Sequence, residues 1–300
     1  MDTQIIFLGT GGSLPTKSRN LPSVVVKRKD EILMFDCGEG TQKQMLSSKI
    51  GINKKMKILI SHLHGDHVLG LPGLIQTMSL LGRNKELEVY GPSGINDFLE
   101  SIFKTVPFNL NYSIKVNSID EGKILEKNEY EIFAKKTNHG IPCFAFALIE
   151  KPKPGRFYPE KARALGIPEG PLWKKLQLGK DIVLKGKIIK SNQVVGPPRQ
   201  GLKIVYALDT RPCEAVLEFS RNADVLIHDS TFGNDMVKKA NEYGHSTSSQ
   251  AANIAKAANV KKLVLLHISP MYKNPSKLLK EAKKIFPSTI MPKDLESIKI

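Results

Sequence analysis

The stretch His62-Leu63-His64-Gly65-Asp66-His67 packs three imidazoles and a carboxylate into six positions of a chain that has seven histidines in all. Three rings this close would repel one another once protonated, and they add nothing to an apolar core. Neutral imidazole and carboxylate are the groups zinc prefers, and one zinc takes about four ligands, or three and a water. Side chains 62 and 64 can point the same way from an extended backbone, while 66 and 67 turn towards a neighbouring position. Four candidates divided between two metals leave both short. The remainder is found at distant points: His139 follows EIFAKKTN, Asp209 ends KIVYALD and His267 ends KLVLLH. Each stands at the carboxyl end of a strand-like run, as the cluster itself does, and strand ends at one sheet edge share a crevice. Five histidines and two aspartates, with Asp209 as a bridge, make two sites of three to four ligands with room for a water between them. We therefore expect two zinc ions.

The elements that must position these residues alternate. Strand-like runs occupy 4–9, 23–27, 32–36, 56–61, 86–91, 130–136, 143–150, 202–209, 223–229 and 261–267. Helical patterns fit roughly 40–48, 68–82, 94–104, 214–221, 247–258 and 275–286. This is an α/β pattern, and the early strands lie too close together for helical crossovers, so part of the sheet must be antiparallel or mixed.

Residues 151–200 break the alternation. KPKPGRFYPEKARALGIPEGPLWKK is rich in Pro, Gly and Lys, has one short helical candidate at 159–165 and carries the single tryptophan. It reads as a protruding insertion. Residues 151–203 hold thirteen Lys/Arg against three Asp/Glu, so 13 − 3 = +10 of the net +16 sits here. A basic patch with one address points to a polyanionic partner, nucleic acid first. Cys37, Cys143 and Cys213 are widely spaced and form no CxxC pair, which suits reduced thiols in a cytoplasmic protein. No signal peptide is expected, and no apolar stretch reaches the length of a membrane span.

Two further loops invite chemistry. GTGGS at 9–13 follows a strand, but position 14 is Leu where GxGxxG has glycine and no GK[ST] follows, which argues against a nucleotide site. Lys17 and Arg19 of PTKSRN could clamp phosphates, or belong to a solvated basic turn. His245 in GHSTSSQ precedes a helix that Ser246, Thr247 or Ser248 could cap; His228 is expected to be structural.

HLHGDH with the later His, Asp and His resembles the metallo-β-lactamase superfamily. More narrowly, FLGTGGSLPTKSRN, FDCGEGTQ, SHLHGDHVLGLPGL, GIPEGPLWKKLQLG, ALDTRP and GHST resemble the ribonuclease Z family from end to end. The resemblance implies a four-layer αββα sandwich over 1–300 with 151–200 as an inserted flexible basic arm. It implies that His62, His64 and His139 hold one zinc, that Asp66, His67 and His267 hold the other, and that Asp209 bridges. Asp66 would also accept the proton of the attacking water. His245 would stand at the leaving oxygen, oriented by an acidic residue of a His-Glu-Ala-Thr motif; here the stretch is HDST, so Asp229 stands for the glutamate. Lys17, Arg19 and Asn20 match a loop beside the cleavage site, and Lys174 and Lys175 lie in the arm that would grip tRNA. The implied reaction is removal of the 3′ trailer from precursor tRNA after the discriminator nucleotide by a homodimeric, cytoplasmic endonuclease. Two other readings remain: a hydrolase of the superfamily acting on a small phosphodiester, thioester or sulfate ester, and an RNA-binding protein whose metals are structural.

Overall fold

The computed structural model describes residues 3–300. Its first sheet begins with β1 (Gln4–Gly9), β2 (Ser23–Arg28) and β3 (Glu31–Phe35), which run antiparallel in sequence order, as the short connections require. From β3 the sheet continues in parallel through β4 (Lys55–Leu59), β5 (Leu87–Gly91) and β6 (Ile114–Ser118). The crossovers contain α1 (Thr41–Ser47), α2 (Gly65–Val68), α3 (Gly70–Leu80) and α4 (Ile95–Thr105). The alternation along β3 shows how the layers arise. Ile32 and Met34 join Met45, Leu71, Leu74 and Leu99 in a core between this sheet and its helices. Phe35 points the other way, its ring 5.3 Å from Tyr206 and 5.9 Å from Phe146. Truncating a wholly buried ring of this kind costs about 3–5 kcal/mol.

The second sheet takes up β7 (Gly122–Glu126), β8 (Tyr130–Lys136) and β9 (Phe144–Glu150). After β9 the chain builds α5 (Pro159–Ala164), α6 (Pro171–Gln177) and the hairpin β10 (Ile182–Leu184) with β11 (Lys187–Ile189). The second sheet then resumes with β12 (Lys203–Ala207), α7 (Glu214–Ser220), β13 (Val225–Asp229), α8 (Val237–Tyr243), α9 (Ser248–Ala257), β14 (Leu263–Leu266), α10 (Ser276–Ile285) and β15 (Thr289–Ile290). β12 through β15 are parallel, and α9 packs on β13 and β14 with α7 and α10 beside it. Last, β16 (Ser297–Lys299) returns to pair antiparallel with β1. Two seven-stranded sheets with helices on their outer faces form the expected αββα sandwich.

Residues 126–131 and 148–203 form a compact unit of their own. The helix expected at 159–165 is there, and α6 and the hairpin add to it. Ala162, Ile167, Leu176, Ile182, Ile189 and Val194 make a small core, and Trp173 packs on it while its indole N–H donates to Ile167 O at 3.1 Å. The two ends of the segment meet where Lys153 N donates to Arg199 O and Arg199 N to Lys153 O. Lys174, Lys175, Lys180, Lys185, Lys187 and Lys190 are exposed on it.

Candidate metal centre

The register of the parallel strands brings the site together. Phe35 pairs with Leu59, so Asp36 and the 60–62 segment leave one edge of the first sheet together; Asp229 pairs with Leu266, placing Asp209, Asp229 and His267 along one edge of the second. His62 stands in extended chain beyond β4, His64 occupies the N-cap position of α2, and Asp66 and His67 lie in that helix's first turn. A four-residue helix entered by an extended strand lets 62 and 64 face one point and 66 and 67 another.

Two convergences result. His62 Nε2 and His139 Nε2 lie 3.0 and 3.2 Å from His64 Nδ1, and Asp209 Oδ2 is 3.5 Å from both Nε2 atoms. On the other side His67 Nε2 and His267 Nε2 are 3.4 Å apart. They stand 3.6 and 3.4 Å from Asp66 Oδ2, and 3.3 and 3.2 Å from Asp209 Oδ1. Donor atoms tetrahedrally disposed about zinc are roughly 3.3–3.4 Å apart, so both sets have the spacing of a coordination sphere. The two oxygens of Asp209 face different sets, and its Oδ1 is buried without a hydrogen bond. A buried carboxylate oxygen with no donor is what a bridging metal ligand looks like. The residues fit a pair of cations.

Outer partners aim the rings. His67 Nδ1 donates to Asp36 Oδ2 at 2.7 Å, His139 Nδ1 to Gly244 O at 3.0 Å and His267 Nδ1 to Thr231 Oγ1 at 2.8 Å. His62 Nδ1 donates to Ser61 Oγ at 3.0 Å, and that hydroxyl donates on to Asp36 at 2.9 Å. These four rings are therefore held by Nδ1 and turn Nε2 inwards, whereas His64 faces its set with Nδ1. Tyr206 Oη also donates to Asp36, at 2.7 Å, so one buried carboxylate gathers groups from both sheets. Asp36, Asp209 and His267 hold the left-handed backbone conformation at φ 57°, 51° and 63°. Each such non-glycine residue costs of order 1–3 kcal/mol, strain typical of functional sites.

The electrostatics agree. Burial and the neighbouring His67 push His62 well below its ordinary value, and burial and His139 lower His64. Burial opposes charge on His67, but Asp209 and Asp36 outweigh it and raise that ring. Burial likewise works against Asp66 and Asp209, and the surrounding histidines, His267 and His67 foremost, together outweigh it for both, so both stay ionised.

His245 completes the setting. Its ring centroid is 5.2 Å from that of His139 and 5.1 Å from that of His267, and its Nδ1 donates to Asp229 Oδ2 at 2.8 Å. The shorter aspartate of HDST thus reaches it. Burial lowers this imidazole, yet Asp229 more than compensates by charge and by hydrogen bond, holding it at about 9. The other oxygen of Asp229 accepts from Thr231 N and Oγ1 at 2.9 and 2.7 Å, which links the His245 support to that of His267. Thr247 caps α9 in a box with Gln250. His228 is fully buried, donates from Nδ1 to Asp229 O and stands apart from both ligand sets.

A cleft of about 540 Å³ opens onto these groups, lined also by Ser13, Leu14, Leu69 and Tyr243. GTGGS lies against the centre without a nucleotide role: any Cβ on Gly12 would collide with the His267 ring, and Ser13 N donates to Asp66 Oδ2 at 2.8 Å. Of the 15–20 loop, Lys17 is exposed. Arg19 is engaged internally with Thr10 Oγ1 and Pro292 O, at 2.5 and 2.9 Å, and Asn20 N donates to Asp294 Oδ2 at 2.6 Å. Lys174 and Lys175 belong to the separate 148–203 unit. The outer residues Asp36, Ser61, Thr231 and Tyr206 were not singled out from sequence; the strand-end position of Asp36 in FDCGEGTQ is the signal that could have found it.

A chain of Methanosarcina acetivorans named Ribonuclease Z is 49% identical over 299 residues, covering 99% of this chain and 98% of that one. The chain belongs to the ribonuclease Z family. The family's Bacillus licheniformis member is 42% identical over 293 residues, covering 96% and 95%. Among solved structures, human tRNase Z, short form, superposes with a TM-score of 0.68 at 26% identity, covering 98% of both chains. The Bacillus subtilis metallo-β-lactamase fold protein YhfI gives a TM-score of 0.71 at 20% identity over the whole of both chains, a likeness of fold. A family model described as Anti-Pycsar protein Apyc1 matches residues 3–150, which leaves Asp209, Asp229, His245 and His267 outside the match.

Proposed function

We propose that the protein is a metal-dependent endoribonuclease that cuts precursor tRNA after the discriminator nucleotide, leaving a 3′-hydroxyl on the tRNA and a 5′-phosphate on the trailer. The observation that carries the reading is the divided Asp209 carboxylate, one oxygen on each histidine set, with the His245–Asp229 pair behind them. Relatives named ribonuclease Z along nearly the whole chain supply the substrate class. His62, His64 and His139 would hold one zinc and Asp66, His67 and His267 the other, with Asp209 offering an oxygen to each set. When bound, the metal pair activates a water and neutralises charge on the phosphoryl oxygens.

The chain's own groups move the protons. Asp66, kept ionised by His267 and His67, accepts the proton of the attacking water. As the new oxygen–phosphorus bond forms and the bond to O3′ breaks, His245 passes its Nε2 proton to O3′, while Asp229 steadies the imidazolium on Nδ1. Lys17 meets a phosphate of the acceptor end; Arg19 and Asn20 shape the loop that presents it. Residues 151–200, with exposed Lys174 and Lys175, form the arm of a single metallo-β-lactamase domain and grip the tRNA body by backbone charge. The enzyme works as a homodimer in the cytoplasm. No helix among the described residues is long and apolar enough to cross a membrane.

Incubation of the zinc-loaded protein with a 3′-extended tRNA transcript tests the function. A single cut after the discriminator nucleotide, abolished by chelator, is expected. Hydrolysis of small phosphodiesters with the transcript left intact would refute the tRNA assignment; no metal-dependent hydrolysis at all would refute the enzyme.

A further inference from the structure

We propose that Tyr243 and Lys239 form a nucleotide subsite: the Tyr243 ring is the stacking platform for the discriminator base, and the Lys239 ammonium meets the phosphate on that nucleotide's 5′ side. The inference rests on the function proposed above. Tyr243 and Lys239 are four residues apart on α8 and so share one helix face. Tyr243 is 56% exposed, an unusual state for so large an apolar ring, and it lines the cleft beside His64, His139 and His245. Among the described residues no partner engages its hydroxyl, and no carboxylate neutralises Lys239. The Lys239 ammonium stands 5.8 Å from the centroid of Tyr243 and 5.8 Å from that of Phe232, and the Phe232 ring lies 6.2 Å from His245. An aromatic face and the proposed proton donor thus line the cleft together, with an ammonium that no carboxylate engages beside the aromatic ring.

The side of the cut they serve follows from the chemistry. His245 addresses O3′, and the sugar bearing that oxygen is the discriminator nucleotide's, so the groups beyond His245 face the tRNA side of the bond. The platform is also held in place. Arg211 donates to Asn241 O at 2.6 Å, to Glu242 O and His139 O at 3.3 Å each, and to Asn138 Oδ1 at 3.2 Å. These bonds tie the last turn of α8 to the loop carrying His139. Gly244, at φ 81°, then turns the chain directly from Tyr243 to His245; a Cβ there would collide with the His139 carbonyl. Aromatic stacking tolerates any of the four bases, as a position that varies among tRNAs requires.

The test is a cycle on the zinc-loaded full-length enzyme with a 3′-extended tRNA and the same transcript abasic at the discriminator position. Tyr243→Ala should lower kcat/KM on the intact transcript by roughly 5- to 150-fold, the range of one lost base stack. On the abasic transcript, already slow with the wild-type enzyme, the substitution should cost less than about twofold. Tyr243→Phe should keep wild-type kcat/KM, and Lys239→Ala should lower the salt slope of binding by about 0.7–0.9. Metal content and thermal unfolding of Tyr243→Ala report on folding. If Tyr243→Ala cuts the intact transcript as the wild type does, or loses the same factor on both transcripts, the subsite is refuted while tRNA cleavage stands. A wild-type enzyme inert on the intact transcript would instead sink the function beneath it.

Discussion

Replacing Asp229 by Asn separates the charge of this residue from its shape. Asn keeps the size and an acceptor for Thr231, but it withdraws the carboxylate that His245 Nδ1 meets at 2.8 Å in a fully buried place. Burial lowers the imidazole and the carboxylate more than compensates, so the ring is held at about 9, a net preference for the protonated form over an ordinary imidazole worth about 3 kcal/mol. At pH 8 a ring titrating near 9 is about nine-tenths protonated, and a buried one at or below the ordinary 6.5 at most about one part in thirty, so the acid is depleted by roughly 30-fold or more. At pH 6 the same substitution removes a much smaller share of it, because the ring is then closer to its own titration. Single-turnover cleavage of a 3′-extended tRNA between pH 5.5 and 9.5 should therefore show the alkaline limb moving down from about 9, with a loss that grows with pH. The folding equilibrium carries the same sign. A raised imidazole adds stability that is full below about pH 6.5 and lost as pH climbs through about 9, and Asp229→Asn should remove that alkaline dependence. A loss equal at pH 6 and pH 8, or an alkaline limb that stays near 9, would refute His245 as the acid and Asp229 as its support.

Asp36→Asn should weaken metal binding by about 10- to 100-fold, since it releases His67, Ser61 and Tyr206 together; zinc titration against a competing chelator reads this, and unaltered affinity would contradict the orienting role. Asp209→Ala should lower bound zinc below two per chain and abolish cleavage; two tightly held ions by elemental analysis would show that it does not bridge. Replacing 154–198 by a short turn between Lys153 and Arg199, which already meet, should weaken precursor binding and flatten its salt dependence while sparing a small phosphodiester; binding as tight as that of the full chain would remove the arm from recognition. Gly12→Ala should drive the loop off His267 and reduce both metal content and activity, and a fully loaded, active variant would show that the loop yields.

The seven proposed ligands were legible because metal chemistry restricts residue type and strand ends restrict position. Strongly apolar strands such as β4, β12 and β14 read clearly, each ending within a few residues of its expected bounds. The half-exposed β6 and β7, IKVNS and GKILE, lack a run of apolar residues and gave no signal. Helix α6 (PLWKKLQ) is embedded in the Pro- and Gly-rich insertion and α8 (VKKANEY) is largely polar, so neither stood out as helical. The outer shell was hidden for another reason. Asp36 and Thr231 act through contacts with residues far away in the chain, and a single carboxylate or hydroxyl after a strand looks the same whether it aims a histidine or faces water. Arg19 shows the converse: in sequence it is a free cation beside a lysine, and only the return of the chain at Pro292 and Asp294 reveals that it is occupied.

The ligands are divided between the two sheets, and this division has a consequence during synthesis. His62, His64, Asp66 and His67 come from the first sheet; His139, Asp209 and His267 come from the second. A ribosome-bound chain that has folded only its first sheet holds half a coordination sphere on each side and no bridge. The first set is complete once Asp209 has emerged, and the second only when His267 has followed and β14 has slotted beside β13. A chain stopped short of β14 thus lacks one ligand of the second set.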